Sequence, residues 1–387
     1  VDPTNYHVGT NHGIQQGSHP NRLWWRSGSD DRSRPFEHKE YSYSMMIDTP
    51  AVLIDRERLT ANISRMAAHA GAHEIALRPH VKTHKIIEIA QMQVDAGARG
   101  ITCATIGEAE IFAGAGFTDI FIAYPLYLTD HAVQRLNAIP GDISIGVDSV
   151  EMAQATAGLR EDIKALIEVD SGHRRSGVTA TASELSQIRE ALGSRYAGVF
   201  TFPGHSYGPG NGEQAAADEL QALNNSVQRL AGGLTSGGSS PSAQFTGAID
   251  EMRPGVYVFN DSQQITSGAC TEDQVAMTVL STVVSRNVSD RRIILDAGSK
   301  ILSTDKPAWI DGNGFVLGNP EARISALSEH HATIFWPDKV QLPVIGEQLN
   351  IVPNHACNVI NLVDEVYVRE ADGTFRTWKV VARGRNN

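Results

Sequence analysis

The residues best suited to chemistry fall into six short clusters. Arg78-Pro79-His80-Val81-Lys82-Thr83-His84-Lys85 closes an apolar run. A lysine at a strand end, partly desolvated and with a lowered pKa, is a group that forms Schiff bases. Lys82 is the candidate; Lys85 competes, but it stands at the start of the following helix, where it is expected to be solvated. Glu168 to Ser176 carries the paired Arg174 and Arg175, whose planar forks suit a cofactor hydroxyl or a substrate carboxylate as well as a surface turn. Pro203-Gly204-His205-Ser206-Tyr207 ends another run, with His205 and Tyr207 two residues apart. Ser236-Gly237-Gly238-Ser239-Ser240 and Arg253-Pro254-Gly255-Val256-Tyr257 are glycine-bearing loops; glycine lets backbone approach a ligand, and successive N–H groups form an anion nest. In Pro353-Asn354-His355-Ala356-Cys357, an extended backbone would turn residues i and i+2 to one side. His355 and Cys357 would then share one soft divalent ion, zinc or a relative, with positions left open for catalysis.

The elements that must position these clusters are short apolar runs alternating with amphipathic segments. The runs are IALRPHVK, GITCAT, DIFIAYPL, ISIGVDS, IKALIEVDSG, YAGVFTFPG, GGLTSGG and MRPGVYVFND. Between them lie helix-like stretches such as KIIEIAQMQVDAGA, although the last interval is too short for a full helix. Strands alternating with helices imply a parallel sheet, and eight such units imply an α/β fold of the closed (β/α)8 barrel type. A doubly wound open sheet is the alternative, without a GxGxxG at a strand end to support it. In a barrel the site lies at the carboxyl ends of the strands, with phosphate near the seventh and eighth loops. Beyond about residue 270, VAMTVLSTVV alternates at period two, and VYVREADGTFRTWKVV reads as a hairpin turning at Asp372-Gly373. The expected organisation is an extension over 1–45, a barrel over 46–270 and a β-rich domain over 271–387 carrying the metal pair. The extension holds His7, His12, His19 and His38 at spacings that fit no ligand pattern, and is read as non-catalytic.

Composition narrows the partners. A net charge of −11 repels nucleic acid and anionic membrane, so an anionic cofactor needs local positive charge. Three cysteines, Cys103, Cys270 and Cys357, make no disulfide framework and fit a reducing, cytoplasmic setting. No apolar run approaches the length of a membrane helix, and the first residues show no signal-peptide core.

LRPHVKTHK, VDSGHRRSGV, PGHSY, RPGVYVFND, LDAGSK and PNHAC, in this order from about Met46 onward, resemble the family of D-threonine aldolases and eukaryotic-type D-serine dehydratases. That resemblance implies a pyridoxal-5'-phosphate barrel with a β domain, as in alanine racemase. By it, Lys82 binds the cofactor aldehyde, Arg175 and Tyr207 lie on the cofactor's ring side, backbone at Gly237, Gly238, Gly255 and Val256 holds its phosphate, and His205 and Ser236 are further cofactor-binding residues. His355 and Cys357 resemble the zinc ligands of the dehydratase branch; the aldolase branch more often has Asp at the second place. The implied activity is a lyase on β-hydroxy D-amino acids, D-serine to pyruvate and ammonia first and aldol cleavage of D-threonine second. A racemase-like enzyme and a non-catalytic pyridoxal-phosphate carrier are the remaining readings. A homodimer is expected by analogy of fold. One stretch departs from the family: Ser328-Glu329-His330-His331-Ala332 stands where a Ser-Glu-Glu-His-Gly-like segment is usual, leaving the role of His331 open.

Overall fold

The computed structural model describes residues 47–387. The expected extension, with His7, His12, His19 and His38, lies outside the described residues. The first strand, β1 (Ala51–Asp55), ends in a carboxylate that caps helix α1 (Arg56–Ala72): Asp55 Oδ1 accepts the Arg58 N–H at 3.0 Å. Leu59 and Ile63, one helical turn apart, are the buried face of α1.

Eight parallel strands follow: β2 (Ala76–Leu77), β3 (Ile101–Cys103), β4 (Asp119–Pro125), β5 (Asp142–Val147), β6 (Lys164–Glu168), β7 (Tyr196–Phe200), β8 (Leu234–Gly237) and β9 (Glu251–Met252). Each overlaps one of the eight apolar runs of the sequence, β5 and β9 starting one residue earlier. Their order is β2-β9-β8-β7-β6-β5-β4-β3. The ring closes where His80 bridges Thr102 beyond the ends of β2, with the Thr102 N–H donating to Pro79 O and the Arg99 N–H to Leu77 O, both at 2.8 Å. That closure makes a barrel and excludes the open doubly wound sheet. Helices α2 (Ile87–Asp95), α3 (Ile106–Gly114), α4 (Asp130–Ala138), α5 (Val150–Ala155), α6 (Ser183–Leu192) and α7 (Gly212–Arg229) fill the connections, with Thr105, Thr129 and Ser149 as hydroxyl N-caps. Between β8 and β9 there is only the short turn Ala243–Phe245. The barrel interior is not purely apolar. Arg78 bonds Glu251 at 2.6 Å and Asp119 at 2.5 Å, while Arg253 donates to Thr201 O at 2.7 Å between the rings of Phe121 and Phe200.

Helix α8 (Ser262–Ser267) leads into the second sheet: β10 (Met277–Asn287), β11 (Arg292–Leu295), then helix α9 (Ser299–Leu302), β12 (Phe315–Val316), β13 (Asn319–Leu327), β14 (Ala332–Phe335), β15 (Gln348–Val352), helix α10 (Ala356–Ile360), β16 (Glu365–Arg369) and β17 (Phe375–Lys379). β16 and β17 form the expected hairpin; Asp372 Oδ1 accepts the Thr374 N–H at 3.0 Å and Gly373 takes a φ of 82°.

One expectation is corrected here. Residues 46–270 were assigned to the barrel, yet β1 lies in the second sheet, antiparallel to β10 and parallel to β16. Its run AVLID is too short for periodicity to say which sheet it joins, and only its partners decide. Val52, Ile54, Leu59, Ile63 and Phe259 share one core with Met277, Ile351 and Ala356, so the second sheet is packed against the barrel's own elements. Ile54, fully buried between Met277 and Val368, tests this seam. Ile54→Ala is expected to lower unfolding free energy by about 2–5 kcal/mol, read by urea denaturation. A loss below about 0.5 kcal/mol, the level of an ordinary surface change, would show that β1 is not part of a packed seam.

Candidate active site

After β2 the chain runs through Arg78-Pro79-His80 into a tight turn, Val81–Thr83, which sets Lys82 at the barrel mouth. The Lys82 ammonium has no hydrogen-bond or carboxylate partner among the described residues; its Nζ lies 5.7 Å from the centre of the Phe202 ring. Burial lowers its pKa, Cys357 acts in the opposite sense, and Arg175 lowers it again. Lys85 is not solvated as expected. It adopts a φ of 55°, is buried, and is held by Asn361 Oδ1 at 2.8 Å, Asn386 Oδ1 at 3.1 Å and Glu108 Oε1 at 3.3 Å. The left-handed backbone turns it inward, where these acceptors occupy its protons. Of the two lysines, Lys82 is the one left free to react.

The pair of arginines separates in the same way. Arg174 belongs to a turn whose N–H groups are gathered by Asp170, and its side chain is exposed. Arg175 faces the cleft, its guanidinium 4.8 Å from the Phe202 ring centre and 3.7 Å from Glu168 Oε1. Phe202 thus underlies both cations, a role that a lone aromatic after β7 did not advertise. Tyr207 stands 6.2 Å from the same ring, and burial, with Cys357 and Asp261 near, pushes its hydroxyl pKa up, keeping it a neutral donor. His80 lines the cleft as a neutral imidazole, because burial and then the neighbouring Lys82 and Arg253 charges depress its pKa.

Together these groups line a cleft of about 560 Å³, within the size range of small-molecule sites. Lys82, Arg175, Tyr207, Gly238, Gly255, Val256, His355 and Cys357 all border it. His205, Ser236 and Gly237 do not. His205 Nε2 is 3.2 Å from Asp218 on α7. Ser236 is wholly buried, donating to Glu251 Oε1 at 2.7 Å and accepting from Arg253. Gly237 backs onto the Glu219 carboxylate, where a Cβ would collide. The Gly238 N–H is also spoken for, donating to Glu219 Oε1 at 2.5 Å. The cleft-facing part of the glycine loops is therefore Gly238, Ser239 and Ser240 opposite Gly255 and Val256, with the Gly238 N–H turned away to Glu219. A Cβ on Gly255 would stand 2.7 Å from Thr83 Oγ1 and 3.0 Å from His80 O; the bare glycine lets the loop lie directly against the lysine turn.

His355 and Cys357 reach the same cleft from the other sheet of the same chain. Their segment is not extended throughout. His355 is the extended N-cap of α10, and Cys357 sits in the first turn of that helix. Asp261, buried at the start of α8, accepts the Ala356 N–H at 2.9 Å and fixes the backbone between them. Cys357 Sγ contacts Thr83 Oγ1 at 3.4 Å, one residue from Lys82. Burial opposes the charged form of each, but their mutual attraction raises the His355 pKa and lowers that of Cys357. A cysteine sulfur beside an imidazole, once each has given up a proton in favour of the ion, is a donor set that binds zinc. No group of three or more His, Cys, Asp or Glu with metal-binding geometry exists among the described residues, so a metal here would take its remaining ligands from water or substrate. His355 Nδ1 is 2.5 Å from Asp305 Oδ2; Asp305 lies on a loop with no motif to single it out. His330 and His331 are exposed and away from the cleft, with His330 Nε2 3.4 Å from Lys300 Nζ.

Barrel, second sheet and a free lysine at the mouth define the alanine-racemase-like class of pyridoxal-phosphate enzymes. The family model described as "Alanine racemase, N-terminal domain" matches residues 54–263, and "Putative serine dehydratase domain" matches 276–369. The chain is 34% identical to D-threo-3-hydroxyaspartate dehydratase of Delftia sp. (strain HT23), covering 87% of this chain and 97% of that one. The solved structure of that enzyme superposes with a TM-score of 0.78 at 32% identity, covering 86% and 97% of the two chains; a Cys→Ala variant of it is solved in a metal-free form. Identity is 32% to D-threonine aldolase of Arthrobacter sp, over 87% of this chain and 93% of that one, and 25% to D-serine dehydratase of Dictyostelium discoideum, over 84% and 94%. The chain belongs to this family of pyridoxal-phosphate-dependent D-amino acid lyases.

If Lys82 carries the cofactor, purified protein is yellow and borohydride reduction attaches the cofactor irreversibly to one peptide. Peptide mapping is expected to find the label on Lys82. A label on Lys85, or none, would sink the assignment.

Proposed function

We propose that the chain is a pyridoxal-phosphate- and zinc-dependent lyase of β-hydroxy D-amino acids, and that its reaction is the dehydration of D-serine to pyruvate and ammonia. The observation that carries this reading is that Lys82 and the His355–Cys357 pair border one cleft of one chain. Bound there, pyridoxal phosphate supplies an electron sink for charge at Cα, and zinc supplies Lewis-acid activation of the β-hydroxyl. The chain's residues do the rest. Lys82, with its lowered pKa, takes the Cα proton. Arg175 offers two parallel donors to a carboxylate or ring hydroxyl, and Tyr207 donates as a neutral phenol. Ser240, Gly255 and Val256 hold the phosphate, with Gly238 beside them at the cleft and Ser236 and Gly237 behind it; His205 stands off against Asp218. Cys357 beside His355 favours loss of the hydroxyl over cleavage of Cα–Cβ, by the resemblance to the dehydratase branch.

Aldol cleavage is the second reading, supported by the identity to the Arthrobacter aldolase; it needs the same groups. A racemase or a simple carrier leaves the metal pair without a task. We further infer a homodimer working in the cytoplasm, in keeping with three free cysteines; no helix among the described residues is long and apolar enough to cross a membrane.

Products separate the two lyase readings. Incubation with D-serine is expected to give pyruvate, and D-threonine 2-oxobutyrate; glycine from D-threonine without 2-oxobutyrate would establish the aldolase instead. Cys357→Ala is expected to lose zinc and pyruvate formation while keeping the cofactor's colour, because the lysine and phosphate groups lie on the barrel. Full turnover by a zinc-free Cys357→Ala protein would remove the metal from the reaction.

A further inference from the structure

We propose that Asp305 is the positioning residue of the metal site, orienting His355 so that only Nε2 is offered to a divalent ion beside Cys357. The inference rests on the reading of His355 and Cys357 as metal ligands. Asp305 lies on the loop between α9 and β12 and borders the cleft with His355 and Cys357. Its Oδ2 is 2.5 Å from His355 Nδ1. An ionised carboxylate only accepts hydrogen bonds, so Nδ1 must carry the hydrogen. A neutral ring so held has its lone pair on Nε2, the nitrogen left for coordination, and the carboxylate makes that nitrogen more basic.

The surroundings show that this contact is built rather than incidental. Asn354, next to His355 in the chain, donates through Nδ2 to Asp305 O and to Gly312 O, both at 3.2 Å. The loop is thereby tied by its backbone to the segment that carries the histidine. Gln263 Nε2 approaches the same Asp305 oxygen at 3.5 Å, and the Asp305 N–H is held by Ser303 Oγ at 3.2 Å. From the opposite side Asp261 fixes the Ala356 N–H at 2.9 Å. Backbone on both sides of the histidine is therefore anchored, and rotation of its ring is the freedom that Asp305 removes. An exposed aspartate–histidine pair with stability as its only role would need none of these ties. Cys357 has a smaller counterpart in Thr83 Oγ1 at 3.4 Å, so each ligand is oriented by its own neighbour.

The test uses the full chain with its cofactor, stripped of metal by a chelator and titrated with zinc against a competing indicator. Asp305→Ala is expected to weaken zinc binding by about 10- to 100-fold. Asp305→Asn, whose carboxamide oxygen still accepts from Nδ1, is expected to lose less. With cobalt in place of zinc, both variants should keep the thiolate-to-cobalt charge-transfer band and the ligand-field pattern of four-coordinate metal, because neither ligand is removed. Cofactor absorbance reports that each variant is folded. Zinc affinity unchanged in Asp305→Ala overturns the inference while leaving the metal site intact, provided His355→Ala and Cys357→Ala both lose zinc. A cobalt spectrum in Asp305→Ala altered as in His355→Ala would also overturn it, making Asp305 a direct ligand. If the unmodified protein binds no zinc, the inference and the metal reading fall together.

Discussion

The contact on which the site depends is between Cys357 and Thr83, where a short helix of the second sheet meets the turn that carries Lys82. Without it there is a barrel mouth with a lysine and a β-rich sheet with a histidine–cysteine pair, and the two do not border one cleft. The contact itself is weak. It is held in place by the shared apolar core of α1, the Val256–Phe259 segment and the strands β1, β10 and β15, whose burial is the dominant favourable force in such packing. Geometry at the reacting atoms is thus set by hydrophobic packing well removed from them.

The buried cations around the barrel mouth are paired, with one exception. Arg78 and Arg253 are buried, and each is answered by carboxylates or carbonyls of the barrel interior. Lys85 is buried and answered three times over. Lys82 has no such partner among the described residues and rests, with Arg175, against the face of Phe202, whose ring attracts cations without neutralising them; Arg175 also has Glu168 Oε1 at 3.7 Å. In a chain of net charge −11, this leaves a small positive region in the cleft, suited to a phosphorylated cofactor and a carboxylate substrate.

Much of the barrel was legible because each strand is a short apolar run bounded by turn residues, and a fully buried parallel strand has that signature. The hairpin at Asp372-Gly373 was legible for a similar reason: its turn chemistry is local. What escaped depended on partners distant in sequence. AVLID reads equally well as the opening strand of a barrel or as a strand of another sheet. The exposure of Lys85 turned on a left-handed backbone and on acceptors at 361 and 386. The choice between Arg174 and Arg175 turned on which one a carboxylate-gathered turn faced outward. Two residues apart on an extended segment was the right proximity for His355 and Cys357 but the wrong backbone, since a helix begins between them. The Gly238 N–H looked like part of an anion nest until Glu219, on another helix, was seen to hold it. Asp305 carried no local signal whatever.

The placement of β1 has a consequence for how the molecule comes into being. Leu53 pairs with Tyr367 and Ile54 with Val368, so one of the first described strands finds its neighbour only near the close of the described chain. During synthesis every barrel strand emerges long before that partner exists, and domains generally fold as they emerge. The barrel strands can therefore pair while the β16 edge of β1 still waits for cover. Long-range pairings of this kind are slow to form, and the histidine–cysteine pair arrives with them. Lys82 and the histidine–cysteine pair, which border one cleft in the finished fold, are thus brought together last.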